Sequence, residues 1–233
     1  MQKTSIMQPY FLPYIGYWQM MNAVDTFMIL DDVNYIRQGW IHRNRIECDG
    51  KEKSLVLPVS HASSNVFIKD LHFVNDKQYI DDLQSTVRYA YRKAPYKNIG
   101  CALFKEIVEY PETAISLFLE HHMHVIADYL GIDTKIIKAS DYRGPVHGKG
   151  IDGVLELCHT LDTDVYINSI GGKHLYDKRR FEAENMELRF IRADFDAIEK
   201  ISHRDHMDYS ILDLIMNFSQ EEIREMLNCV IYE

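Results

Sequence analysis

The sequence is poor in cysteine, and the four it has, Cys48, Cys101, Cys158 and Cys229, are scattered. No two form a Cys-x-x-Cys pair, which excludes a zinc cage and a redox dithiol and leaves reduced thiols as the expectation. Long hydrophobic runs are missing too: none approaches the roughly 18 apolar residues that a bilayer crossing needs. Gln8-Pro9 interrupts the N-terminus before a signal-like apolar run develops, so the expected location is the cytoplasm, with no membrane partner. Positive charge is in deficit. With 26 Lys and Arg against 35 Asp and Glu, the formal charge is −9, which excludes general adhesion to nucleic acid or anionic lipid, because that requires a broad cationic face. There is no Gly-x-Ser-x-Gly elbow, no Walker lysine loop and no complete Gly-x-Gly-x-x-Gly, so serine hydrolase, P-loop and standard dinucleotide chemistry drop out. Internal repeats, low-complexity tracts and flexible linkers are also lacking.

What is present is ordinary globular composition, 46% hydrophobic and 26% charged over 233 residues, enough for one domain spanning 1–233. Residues 4–7 read as a strand, 15–24 as a helix and 26–30 as a buried strand, a βαβ unit whose two strands should be parallel neighbours. Short strands over 40–48, 54–59 and 66–73 suggest a β-rich insertion at 40–75. Helical periodicity over 79–131, broken at Pro95 and Pro111, predicts a helical segment of about three helices. Alternation then returns, with strands at 135–139, 164–168 and 187–191, a helix at 150–161 and a Gly171-Gly172 turn. Helices over 208–217 and 219–227 close the chain, the second opened by the capping pattern Ser219-Gln220-Glu221-Glu222. The fold class expected is α/β, a parallel-sheet core with a nucleotidyltransferase-like first βαβ unit.

Three groups of residues could carry chemistry. In the first βα turn, Gln8, Pro9, Phe11 and Pro13 lead into a helix start at Gly16 and Tyr17, where free N–H groups and the helix dipole favour an anion. The layout resembles the nucleotidyltransferase and class I synthetase superfamily, with Tyr17 in place of that superfamily's histidine. Asp31 and Asp32 follow the second strand at its carboxyl end, where open α/β sheets place ligands. One of them could hold a metal ion, a ribose hydroxyl or a substrate amine; adjacent side chains on an extended segment diverge, so one is expected to face the site. Trp40-Ile41-His42-Arg43-Asn44-Arg45 is the sharpest cationic feature. On a strand, Arg43 and Arg45 share a face and offer two guanidinium forks to phosphate or carboxylate, while His42 and Asn44 share the other. Among histidines 121, 122, 124, 203 and 206, the pairs 121/124 and 203/206 meet only i, i+3 spacing and no Glu completes a His-Glu-x-x-His pattern, so no metal site is assigned. Two glycine-containing loops, His147 with Lys149 and Ser169-Ile170-Gly171-Gly172-Lys173-His174, could cradle an anion or be plain turns.

These residues resemble the WbqC-like family of bacterial polysaccharide gene clusters. The likeness is carried by the run from Gln8 to Tyr17, by Asp25, by Asp31-Asp32-Val33-Asn34-Tyr35, and by Trp40 with Arg43-Asn44-Arg45-Ile46. It continues through Pro58, Lys93-Ala94-Pro95-Tyr96, Tyr166, Ser169, Gly171-Gly172, Tyr176 and Ser210-Ile211-Leu212-Asp213-Leu214. Asn34 and Asn168 depart from it, standing where Gln and Ser are expected. The resemblance implies a role in surface-polysaccharide (O-antigen) synthesis, with transfer of a glycyl or similar acyl group onto an amino sugar. The leading expectation is therefore an acyl or aminoacyl transferase acting on a nucleotide-linked amino sugar. In it Asp31, Asp32 and Tyr17 are the catalytic candidates; Gln8, Pro9, Phe11, Pro13, Gly16, Tyr35, Trp40, Arg43, Asn44, Arg45, Tyr96, Ser169, Gly171, Gly172 and Lys173 bind substrate or phosphate. For cofactors the reading stays at ATP with Mg²⁺ or an activated acyl donor. Partners are a nucleotide sugar or activated amino acid, with a tRNA 3′ end as one form of donor. A nucleotidyltransferase using a nucleoside triphosphate and a non-catalytic module of glycan assembly are the alternatives.

Overall fold

A computed structural model describes residues 1–60, 63–142, 148, 150–204 and 208–233. Strand β1 (Lys3–Met7) is followed by helix α1 (Ile15–Asn22) and strand β2 (Thr26–Ile29). β1 and β2 pair in parallel, Thr4 opposite Thr26 through Met7 opposite Ile29, as the βαβ reading requires. The chain then forms a hairpin, β3 (Arg43–Cys48) with β4 (Lys51–Val56), and a short pair, β5 (Val59–Ser60) with β6 (His72–Phe73). Asp49 and Gly50 both take positive φ in the hairpin turn, which suits an Asp-Gly pair. Helices α2 (Lys77–Ala90), α3 (Lys97–Val108) and α4 (Ile115–Leu130) make up the helical middle. After β7 (Lys135–Lys138) come α5 (Ile151–Thr160), β8 (Val165–Ser169), α6 (Lys178–Ala183), β9 (Glu187–Ala193), α7 (Phe195–Ser202), α8 (Ile211–Asn217), α9 (Gln220–Leu227) and β10 (Val230–Tyr232).

Among the described residues the main sheet has the order β10-β9-β8-β1-β2-β7, parallel except for β10. The chain winds outward from β1 in both directions, so the topological switch point lies between β1 and β8. Open α/β sheets bind ligands beyond the carboxyl ends of the strands at that point, here the segments after Met7 and Ser169. One apolar cluster, with Phe11, Trp18, Phe27, Phe104 and Phe118, joins α1 to the hairpin and the helical middle. The other face of the sheet buries Tyr166, Phe181 and Phe190 under α5 and α6, with the Tyr166 and Phe181 rings stacked at 5.4 Å.

Several boundaries differ from the sequence reading. The strand expected over 40–48 starts only at Arg43, because residues 36–40 are turns tied by Gly39 N–H to Ile36 O and the Trp40 carbonyl is taken by Phe11 N–H. The strand expected over 54–59 splits at Pro58, which has no N–H to give a ladder. Residues 66–73 hold a 3-10 turn, Ile68–Asp70, whose backbone donates to Val33 O and Asp31 O. The Gly171-Gly172 turn is part of a 3-10 helix, Ile170–Leu175. The helix expected from 208 begins at Ile211, capped by Ser210 Oγ. The capping box of Ser219 and Glu222 is present as read.

Candidate functional site

The chain leaves β1 at the switch point and enters the first turn, where nearly every polar handle is used internally. Tyr17 is buried and its hydroxyl donates to Gln8 O at 3.0 Å; burial pushes its phenol well above the ordinary range. Phe11 is fully buried against Phe118 and His122. Leu12 takes a left-handed backbone, φ 47°, a conformation costing an L-residue about 1 kcal/mol or more. Three contacts hold it: Leu12 N–H donates to His122 Nε2 at 3.1 Å, and Asn44 Nδ2 donates to Phe11 O at 3.1 Å and to Leu12 O. Since His122 Nδ1 faces Leu119 O, the ring is the neutral Nδ1–H tautomer. Burial pushes its pKa down to about 3. Pro13 O accepts from Trp18 Nε1 and from Ile211 N–H. The Tyr14 ring lies over Gly16, so close that a Cβ there would sit 2.6 Å from it. Pro9, Phe11, Pro13 and Tyr17 are therefore packing residues of the turn, and the helix start at Gly16 is covered by the chain's own tyrosine.

Asp31 is 1% exposed. Its carboxylate accepts from Ser116 Oγ at 2.6 Å, Ser140 N–H at 3.0 Å and Ser140 Oγ at 2.8 Å, pinning the end of β2 to α4 and to the segment after β7. Asp32 is half-buried beside it.

The open face lies on β3 and the loop before it. Trp40 is 44% exposed. Tyr10 stacks on it at 5.8 Å, and the guanidiniums of Arg43 and Arg45 lie 5.8 and 5.7 Å from its ring centre. Arg45 is neutralised by Glu52, at 3.0 Å, and Asp208. Arg43 donates only to backbone carbonyls, Gly39 O at 3.0 Å and Gln38 O, and has no carboxylate partner among the described residues. Asn44 points inward and serves the first turn, while Tyr35 OH meets His42 Nδ1 at 2.8 Å. Burial raises the Tyr35 phenol, with Arg43 and Arg37 opposing; burial and then Arg43 push His42 below its ordinary value.

Glu47 continues the Arg43 and Arg45 face of β3 and leads to a cleft of about 190 Å³ lined also by Tyr91, Lys93, Pro95, Arg204 and Asp213. Asp213, buried in α8, accepts from Tyr91 OH at 3.1 Å and Arg204 Nη1 at 2.9 Å, and Arg204 Nη2 reaches Glu47 at 3.0 Å. Burial raises the Asp213 carboxyl against the pull of Arg204. Tyr96 flanks this cleft, its N–H on Met216 O.

At the end of β8, Ser169 Oγ accepts from Gly171 N–H at 3.4 Å, Gly172 sits against Asn168 Oδ1, and Lys173 pairs with Glu233 at 2.8 Å. Asn168 donates to the hydroxyls of Tyr166 and Tyr176. No hydrogen bond or ring contact among the described residues links this group to Trp40, Arg43 or Arg45. Ring contacts thus join Trp40 with Tyr10, Arg43 and Arg45, and a hydrogen bond joins Tyr35 with His42; no such contact among the described residues ties them to Asp31, Tyr96 or Ser169–Lys173. His147, Lys149 and His206 lie outside the described residues. Among those described, no three His, Cys, Asp or Glu side chains are grouped to hold a metal ion.

The sequence reading missed Tyr10, Arg37 and the pairing of His42 with Tyr35, although all lie within or beside the block it singled out. Extending the Arg43 and Arg45 alternation by one step would have reached Glu47. Its link through Arg204 to Asp213 joins β3 to residues more than 150 positions away and leaves no local signal.

A model of the WbqC-like protein family matches residues 8–225. The chain is also similar to an uncharacterized protein of Mycobacterium tuberculosis, Rv1507c, at 25% identity over 237 aligned residues, covering 95% of this chain and 96% of the relative. No solved structure matches the chain.

Proposed function

The chain belongs to the WbqC-like protein family, and from that premise we propose that it transfers an acyl or aminoacyl group to the amine of a nucleotide-linked amino sugar in surface-polysaccharide synthesis. One observation carries the reading: an exposed Trp40 backed by Tyr10 lies beside Arg43, a guanidinium without a carboxylate partner among the described residues. A planar base stacks on such a ring, and a diphosphate meets a guanidinium fork through charge-assisted hydrogen bonds. Arg45, braced by Glu52 and Asp208, also lies against this ring. The donor is an activated acyl ester, such as an aminoacyl adenylate or the 3′ end of an aminoacyl-tRNA. Asp31 acts in this scheme by fixing the strand end, with Asp32 beside it as the carboxylate nearer to solvent.

Isothermal titration with uridine, guanosine and thymidine diphosphates, and with amino sugars linked to them, tests the proposal. The expected result is binding that Arg43→Ala weakens about tenfold for phosphate-bearing ligands, a charge-assisted hydrogen bond's worth, and leaves unchanged for the free amino sugar. If no nucleotide binds, the transferase reading fails and a non-catalytic module takes its place.

A further inference from the structure

We infer that the cleft beside Glu47 is a subsite for one amino-sugar ring, with Glu47 receiving the ring's ammonium group, and that it continues the Trp40 surface. Its place as the acceptor end of that surface rests on the transferase reading; the ammonium-binding cleft itself does not.

Size decides first. The cleft holds about 190 Å³, below the roughly 300 Å³ at which pockets for drug-sized ligands begin, so it takes a fragment such as one sugar ring and not a whole nucleotide. Its lining has two kinds of surface: Ala90, Ala94 and Pro95 offer apolar contact to the C–H face of a ring, while Glu47, Arg204 and Asn217 are polar. Most of the polar groups are already committed. Asp213, 3% exposed, accepts from Tyr91 OH at 3.1 Å and Arg204 Nη1 at 2.9 Å, and Asn217 Nδ2 donates to Asp213 O at 2.8 Å. Asp49 Oδ1 is taken by Arg92 at 2.6 Å. Arg204 Nη2 holds Glu47 through Oε2 at 3.0 Å, and Glu47 Oε1 has no hydrogen-bond partner among the described residues. Glu47 is therefore fixed by one oxygen and open at the other, which is what a carboxylate needs to meet an ammonium without losing much side-chain freedom. Lys93 lines the same cleft, forms no ion pair among the described residues, and supplies a donor for a ring hydroxyl. Three carboxylates, Glu47, Asp49 and Asp213, line the cleft against two cations, Lys93 and Arg204. That balance favours a cationic ligand group over a phosphate.

Strand β3 connects this cleft to the Trp40 surface. Arg43, Arg45 and Glu47 alternate on one face of it. Trp40 touches both arginines, Arg45 pairs with Glu52 at 3.0 Å, and Glu52 stands directly opposite Glu47 in the hairpin register. Ser210 N–H donates to Arg45 O at 3.1 Å, fixing the start of α8, and hence Asp213, against the same strand. From Arg43 to Glu47 the backbone runs about 13 Å, at about 3.3 Å per residue, and the long side chains at both ends shorten the gap. The order of chemistry along the strand is aromatic ring, guanidinium, guanidinium, carboxylate. A nucleotide-linked amino sugar presents its groups in the matching order: base, two phosphates, amine.

Amide NMR of the whole chain, titrated with D-glucosamine at slightly acid pH and with D-glucose and glycine as comparisons, tests this. The expected result is that glucosamine moves the signals of residues 47–49 and 90–94, and that glucose binds at least tenfold more weakly. Glu47→Gln, which keeps an oxygen for Arg204 at a side chain 39% exposed and so retains the fold, should weaken glucosamine about tenfold, the worth of one charge-assisted hydrogen bond. Glu182→Gln removes the same charge on α6, on the opposite face of the sheet, and should change nothing. No binding of glucosamine, equal binding of glucosamine and glucose, or indifference to Glu47→Gln overturns the inference, even if nucleotides bind at Arg43. Glycine entering the cleft where glucosamine does not overturns it as well. Glucosamine held by Glu47 while no nucleotide binds supports the subsite and removes the transferase reading.

Discussion

Residues 8–17, with four aromatic side chains and Gln8, and residues 35–47, with two aromatics among seven polar or charged side chains, both look like ligand segments, but the structure uses them in opposite ways. In the first turn, the Tyr17 hydroxyl, the Leu12 N–H and the carbonyls of Phe11, Leu12 and Pro13 all have partners inside the protein. On the β3 side, Trp40 is exposed, and among the described residues Arg43 has no carboxylate partner and His42 Nε2 no hydrogen-bond partner. The first turn is a frame, and the second segment is the surface we propose as the site. Hydrogen bonds from Phe11 N–H to Trp40 O and from Asn44 Nδ2 to the Phe11 and Leu12 carbonyls join them, and the Tyr10 ring stacks on Trp40. Residues that look like a phosphate loop thus set the position of the surface that would meet one.

The comparison breaks most readily if the frame proves dispensable. Acid gives the largest expected effect. His122 is neutral and buried, its pKa pushed from 6.5 to about 3, so between those values the unfolded chain binds a proton that the folded chain refuses. Stability therefore rises with pH across that window and is lost on acidification, by up to about 1.4 kcal/mol per pH unit below 6.5. Urea unfolding at a series of pH values should show this slope, and His122→Gln should flatten it. Next is Asp31→Ala, which leaves a buried donor on Ser116 and two part-buried donors on Ser140 without their acceptor and should cost about 3 kcal/mol by the same assay. A loss under 1 kcal/mol would return Asp31 to the list of exposed functional acids. Asn44→Ala should cost about 2 kcal/mol and also weaken nucleotide binding, since Asn44 is where the frame grips β3.

The contrast also explains what the sequence made legible. The βαβ unit, the parallel pairing, the three middle helices and the Ser219 capping box rest on periodicity and on signals within four residues, which a linear reading detects. Helices α6 and α7 and strand β10 escaped it because they carry little apolar pattern: α6 buries only Phe181, α7 only Ile198 and Ser202, and β10 has three residues. In the site, the grouping of Trp40, Arg43 and Arg45 follows from their spacing. Their condition does not, because Arg45 is neutralised by Asp208, 163 residues away, and Asp31 is turned inward by donors 85 and 109 residues away. Distant partners decide whether a charged side chain is spent or available, and such partners leave no mark near the residue itself.

The smallest expected effect on stability makes the sharpest test. Trp40 is nearly half exposed, and its ring is held from outside by Tyr10 and two guanidiniums rather than by the core. Trp40→Leu should therefore change the unfolding free energy by no more than about 0.5 kcal/mol, as surface substitutions usually do. Its effect on ligand should be far larger: removing a stacking platform costs about 1–3 kcal/mol per base, so nucleotide affinity in the titration should fall about 5- to 150-fold while inorganic pyrophosphate, which has no base, binds as before. Equal losses for both probes would mean that Trp40 shapes the loop that carries Arg43, making residues 35–47 a frame like residues 8–17. A loss confined to the nucleotide would assign the base to Trp40 and the phosphates to the arginine beside it.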